Sequence, residues 1–193
     1  MFSHPALKFF VWWIIATISL AFVGYAYSQS ALPTIKWHPG HYVRADEQGW
    51  NNKQDERFRV YDTIRNVPTV LGAAFVVNWG MVENQQGVYD WSYVDAEINY
   101  LASMGKRSII TPAHIVYGGS LPGTPQGADN RAIGDYLIDM GCGGNMPYGG
   151  HAARLDIPAC MDRYIAFIQA LAARYDSNPN VEMVTVGETS VYV

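Results

Sequence analysis

The side chains best suited to chemistry gather in four places: Trp37, His38 and His41; Asn78, Trp79 and Glu83; His114 and Tyr117; and Glu188 followed by Thr189. Each group stands at the end of an apolar run. Indole and phenol rings cover apolar faces, while imidazole, amide and carboxylate groups bond to hydroxyls. A sugar presents both surfaces, with C–H faces inside a rim of hydroxyls. A phosphate site would instead call for a glycine-rich loop opening a helix, together with Lys or Arg. Glu188 comes directly after the apolar stretch VEMVTV. A carboxyl group half buried at the mouth of a sheet has its charged form disfavoured, which suits a general acid.

Plainer roles stand beside these. Trp37, His38 and His41 read equally as packed or solvated loop residues. His114 reads equally as a satisfied core histidine, and Glu188 as a cap on the following loop. Glu83 precedes a turn, and its first reading is structural, bonding local backbone or the next helix start. Trp91 reads as core beneath the sheet.

The elements that would hold these groups alternate. Residues 35–43 read as a first strand running into a loop, so its aromatic and imidazole groups fall at the strand end. Residues 54–67 carry Phe58, Tyr61 and Ile64 at helical spacing, stopped by Pro68. The continuous apolar run 70–78 suits a strand buried on both faces. Residues 90–104 read as a helix capped by Ser92, with Val94, Ile98 and Leu101 inward and Gly105 after its end. Residues 107–115 form a third strand. The Gly- and Pro-rich stretch 116–158 shows no strong periodicity except around 132–140, and within it the Gly-rich segment 118–150 reads as a lid over the site or a disordered insertion. Residues 159–175 are the clearest helix, with Met161, Ile165, Ile168 and Leu171 in step, and 181–186 form a fourth strand. Strand and helix in alternation predict a parallel sheet, whose ligand site lies at the carboxyl ends of the strands.

The stretch NWGMVENQQGVYDWSYVDAEINYLASMGKRSIITP, residues 78–112, resembles the second β/α unit of clan A glycoside hydrolases, especially the family 42 β-galactosidase-like branch. The matching features are Trp79, Glu83, Gly87, Tyr89, Asp90, Trp91, Ser92, Gly105 and Lys106. Residues 161–190 resemble the helix before the fourth strand and that strand's end. Related cellulase-like families share the plan. The resemblance implies the N-terminal half of a (β/α)8 barrel, about four β/α units, with Glu188 as acid/base and a nucleophile supplied after the seventh strand. It also implies a carbohydrate substrate, for which the strand-end groups Trp37, His41, Asn78, Trp79, His114 and Tyr117 are the expected contacts. Gly187 stands where the family carries an Asn that contacts the sugar 2-hydroxyl.

Length sharpens that expectation. The chain has 193 residues, whereas a complete barrel needs about 250. A truncated chain is therefore expected, or one whose half-barrel pairs with another copy. Residues 30–193 are assigned to the partial barrel. Residues 1–29 read as a cleaved signal peptide, or as an anchor through the uncharged run 9–26, and both place the rest outside the cytoplasm, secreted or periplasmic. Export opens a disulfide to Cys142 and Cys160, the only cysteines; two free thiols are the alternative. With 13 Lys and Arg against 17 Asp and Glu, the net charge is −4, and no basic run exists to bind nucleic acid. Neither CxxC nor HExxH occurs, so no metal and no cofactor are expected. The competing classes are a non-catalytic carbohydrate-binding or scaffold protein, and an open α/β sheet complete at this size.

Overall fold

The computed structural model describes residues 36, 38–44, 54–116, 132–145 and 151–185. Two compact units divide the chain between Lys36 and Trp37, and every element of the fold below lies in the second.

Four strands make one parallel sheet: β1 (His41–Arg44), β2 (Val70–Asn78), β3 (Arg107–Ala113) and β7 (Val181–Val184), in that spatial order. Helix α1 (Gln54–Ile64) joins β1 to β2. A single turn, α2 (Trp79–Val82), and then α3 (Ser92–Ser103) join β2 to β3. The connection from β3 to β7 contains β4 (Ile115–Val116), α4 (Asp135–Asp139), β5 (Gly143–Asn145), β6 (His151–Ala153) and α5 (Pro158–Tyr175). Strands β4, β6 and β5 form a separate antiparallel sheet. The stretch read as aperiodic thus holds a small sheet and a helix among its described residues.

The two faces of the parallel sheet differ. On β2, Ala73, Phe75 and Val77 are fully buried. They join Tyr61, Val94, Ile98, Leu101, Phe167 and Leu171 from the helices in one core. On the alternate face, Ala74, Val76 and Asn78 are opposite Ile109, Thr111 and Ala113 of β3, and mostly stay half-buried. The helices therefore cover one face, and the other is the concave face of a barrel wall. Gly72 is required there. A Cβ at that position would overlap the carbonyl oxygen of Arg107 and lie 2.8 Å from Cε1 of Tyr42.

Local chemistry explains the element ends. Pro158 opens α5 at its first turn, where no N–H is needed. Gly105, with φ +69°, ends the turn after α3 in the left-handed region. Ser92 does not cap α3. Trp91 holds the N-cap position, and the Ser92 N–H donates to Asp90 Oδ1 at 2.9 Å, a local bond just ahead of the helix. Hydrogen bonds from Ser92 hold the Asp90 carboxyl below its ordinary range. Among the described residues, no helix is long and apolar enough to cross a membrane; residues 9–26 lie outside them.

Strand β1 departs from its expected span. It starts at His41, and His41 pairs with Val70, the first residue of β2. Sequence spacing could not separate a strand ending at 43 from one beginning at 41, because both contain the same apolar Tyr42 and Val43.

Candidate functional site

At the carboxyl ends of the strands, Asn78 closes β2 and pairs with Ala113, which closes β3. His114 follows Ala113 at a bend, before β4 sets off in a new direction. One strand further, Thr185 follows β7. Its N–H donates to the Ile110 carbonyl at 2.9 Å, and its hydroxyl meets that of Thr111 at 2.7 Å. The described mouth of the sheet therefore offers an amide, an imidazole and paired hydroxyls. These groups donate and accept hydrogen bonds without carrying charge, a set suited to a polyol.

His114 is 7% exposed. Its carbonyl accepts from Ala153 N–H at 2.9 Å, and its ring meets Tyr164 edge-on at 5.1 Å between centroids. Its Nδ1 is buried without a hydrogen-bond partner. Burial pushes its pKa below the ordinary imidazole value, favouring the neutral ring. The Tyr164 phenol is pushed up by the same cause.

Behind the mouth lies a buried carboxylate. Glu83 has no exposed surface. Its Oε2 accepts from Trp79 Nε1 at 2.7 Å. Its Oε1 accepts from Gly87 N–H at 2.7 Å and from Arg163 Nη2 at 2.6 Å. These bonds pin the turn after β2 to helix α5, and commit both Glu83 oxygens to protein donors. The Arg163 guanidinium also lies 5.8 Å from the centre of the Tyr136 ring. Burial raises the Tyr136 phenol to about 12, with Arg163 opposing the shift.

Four expected ligands lie among the described residues, and they fare differently in this geometry. Asn78 and His114 stand at the expected end of the sheet. Trp79 is a correction: its ring is fully buried, stacked at 5.8 Å on Phe167 and tilted at 5.4 Å to Tyr164. A sugar cannot reach it, because the chain turns into α2 at this residue and swings the indole under the helices. His41 is the second correction. It lies at the amino end of the sheet, because β1 begins there. The length of β2 separates it from Asn78, about 26 Å at the usual rise per residue. Trp37, Tyr117 and Glu188 lie outside the described residues.

Sequence reasoning missed a second polar group, at that amino end. His38 N–H donates to Glu182 Oε1 at 3.0 Å, and His38 Nδ1 meets Oε2 at 2.7 Å. Arg107 Nε lies 3.9 Å from the same carboxylate, and the Tyr42 hydroxyl donates to the His38 carbonyl at 3.4 Å. The pair links the lead-in to β1 with β7. A flat sheet would hold those outer strands about 14 Å apart. Glu182 within an otherwise apolar strand was the available signal. Arg163 had none beyond its place on α5. Among the described residues, no cluster of His, Cys, Asp and Glu could hold a metal ion.

No family model matches the chain, and no curated protein matches it. Solved structures do share its fold. One is a β-galactosidase from the Antarctic haloarchaeon Halorubrum lacusprofundi, with a TM-score of 0.52 and 13% identity over 78% of this chain and 21% of that one. Another is a β-galactosidase from the psychrophilic Marinomonas ef1, with a TM-score of 0.53 and 13% identity over 78% of this chain and 22% of that one. The chain thus spans about a fifth of the length of these structures. Its fold is that of part of a TIM barrel of the kind found in glycoside hydrolases.

Proposed function

We propose that this chain is the first part of a retaining glycoside hydrolase acting on O-glycosidic bonds of a β-linked oligo- or polysaccharide. The observation that carries the reading is the placement of Asn78 and His114 on adjacent strands at the carboxyl ends, with β7 parallel beside β3. Glu188 follows the last residue of β7 by four positions in the sequence. Glu188 then protonates the leaving oxygen and, in the second step, takes a proton from the attacking water. A second carboxylate about 5.5 Å away forms the glycosyl-enzyme. Glu83 is not that group, since its oxygens are committed to Trp79, Gly87 and Arg163. In this reading the nucleophile is a carboxylate on a later strand of the complete barrel. The Cys142–Cys160 bond supports an exported protein, because such bonds persist in oxidising compartments.

The test is a leaving-group comparison on the full-length gene product and its Glu188→Gln variant. The fold relatives are β-galactosidases by name, so aryl and alkyl β-galactosides are the first substrates. Loss of the acid lowers turnover of an alkyl glycoside by about 10²-fold or more. It spares the first step for a dinitrophenyl glycoside, whose leaving group needs little proton. Equal turnover of alkyl glycosides by both proteins would overturn the assignment. Sugar binding without turnover in the unmodified protein would favour the carbohydrate-binding reading.

A further inference from the structure

The small antiparallel sheet meets the candidate site at one residue, His114. Strand β4 begins at the next residue, and Ile115 pairs with Ala152 of β6. Ala153 N–H donates to the His114 carbonyl at 2.9 Å, and Arg154 N–H donates to the Cys142 carbonyl at 2.8 Å. The Cys142 sulfur is bonded to that of Cys160, and both residues are fully buried. Cys160 lies in the first turn of α5. Tyr164, four residues on and so on the same helix face, is the ring packed against His114. The imidazole is thus held from two sides, by β6 through its backbone and by α5 through Tyr164. The disulfide adds a covalent tie from Cys142, next to β5, to α5, besides the short peptide 154–157 that leads from β6 into the helix.

We infer that the Cys142–Cys160 bond is a positioning element for His114, fixing the small sheet to α5 so that the imidazole is clamped at the mouth of the parallel sheet. Its bearing on catalysis rests on the function proposed above; its bearing on His114 does not. The chain itself joins β6 to α5 through residues 154–157; the bond adds a second tie, from Cys142 at the start of β5, and the β4–β6 ladder is short, with Ile115 and Val116 paired to Ala152 and His151. Without the bond, the β5 end of the small sheet loses its tie to the helix and shifts against it. His114 then gains solvent at its buried face, while groups at the amino end of the parallel sheet keep their surroundings.

The experiment is carbon–proton NMR of histidine-labelled full chain, comparing it with the Cys142→Ala/Cys160→Ala double variant. The chain has 5 His; His114→Gln and His38→Gln assign the two needed signals. The titratable group packed against His114 is Tyr164, which stays neutral over the range scanned. The expected result is a broadened His114 signal whose titration midpoint moves up towards the ordinary imidazole value. The His38 signal, held by Glu182 at the far end of the sheet, should not move. An unchanged His114 signal in a folded variant would overturn the inference. So would an equal change at His38, or loss of the parallel sheet by circular dichroism, since the bond would then be a general brace.

Discussion

Replacing Glu83 with Gln should cost stability first, and by a predictable amount. The carboxylate has no exposed surface. It accepts from Trp79 Nε1 at 2.7 Å on one oxygen, and from Gly87 N–H and Arg163 on the other. A glutamine offers one accepting oxygen and one NH2 group. In the better of its two orientations, the oxygen keeps Gly87 and Arg163, and the NH2 faces the Trp79 N–H donor to donor. One bond to a charged group is then lost, worth about 1.5–3 kcal/mol. Arg163, whose side chain is 19% exposed, also loses its counter-charge, which adds about 1 kcal/mol. The sum is about 2.5–4 kcal/mol, or roughly 10 °C in Tm for a chain of this size. The assay is urea unfolding followed by circular dichroism. Indole fluorescence serves as a second probe, because Trp79 loses its acceptor. A cycle with Arg163→Met isolates the pair. The double variant should recover part of the loss, with a coupling of about 1.5–3 kcal/mol. A Glu83→Gln loss below about 1 kcal/mol, or strict additivity with Arg163→Met, would refute the description of Glu83 as the pin between the β2 turn and α5.

Two further outcomes follow from the same coordinates. Gly72→Ala puts a methyl group onto the Arg107 carbonyl oxygen and against the Tyr42 ring. Backbone cannot yield there without opening the β2–β3 ladder, so the cost is about 3 kcal/mol or more; a urea midpoint close to that of the unmodified chain would contradict the close approach. His114 gives a pH dependence. Its folded pKa lies below its ordinary value of 6.5 because burial favours the neutral ring. Such a group contributes stability above its unfolded pKa, and that contribution is lost as pH falls through the folded pKa. Between about pH 7 and pH 5 the unmodified protein should therefore lose more stability than His114→Gln; parallel curves from urea titrations would count against a buried neutral ring.

Much of this fold is legible in the sequence, for physical reasons that vary by element. Residues 70–78 announce β2 because a strand covered on one face by helices and lining a barrel wall on the other is apolar throughout. The helix stripe Val94, Ile98, Leu101 is fully readable, and all three side chains are buried. The stripe on α5 is readable only in part. Leu171 is buried and Ile168 packs on the core, but Met161 and Ile165 are exposed. Phe167 and Tyr175, one step round the helix, are the buried residues instead. Periodicity fixes the helix, but the rotational phase is set by partners from other elements. Here those are Trp79 and Trp91 stacked on Phe167, and Asp95 accepting from the Tyr175 hydroxyl at 2.7 Å.

The candidate site was harder to read, and the two failures have one cause. Residue type says what a side chain can do, whereas the site is defined by which end of a strand and which side of a sheet it occupies. His41 has the right chemistry and lies at the wrong end, because a four-residue strand carries too few residues for pattern to show where it starts. Trp79 is at the right end and under the wrong face, because the chain bends into α2 immediately after Asn78. The bend itself has a chemical origin that the sequence does contain. Trp79 and Glu83 are one helical turn apart, and the indole N–H closes onto the carboxylate across that turn. Reading the two residues as a bonded pair, rather than as separate candidates for a sugar wall and a turn, would have placed both in the interior. It leaves Asn78, half-buried, and His114, buried against Tyr164, as the described pair at that end of the sheet. A binding test on this protein should therefore begin with those two, since Trp79 and Glu83 would report on folding whatever the ligand is.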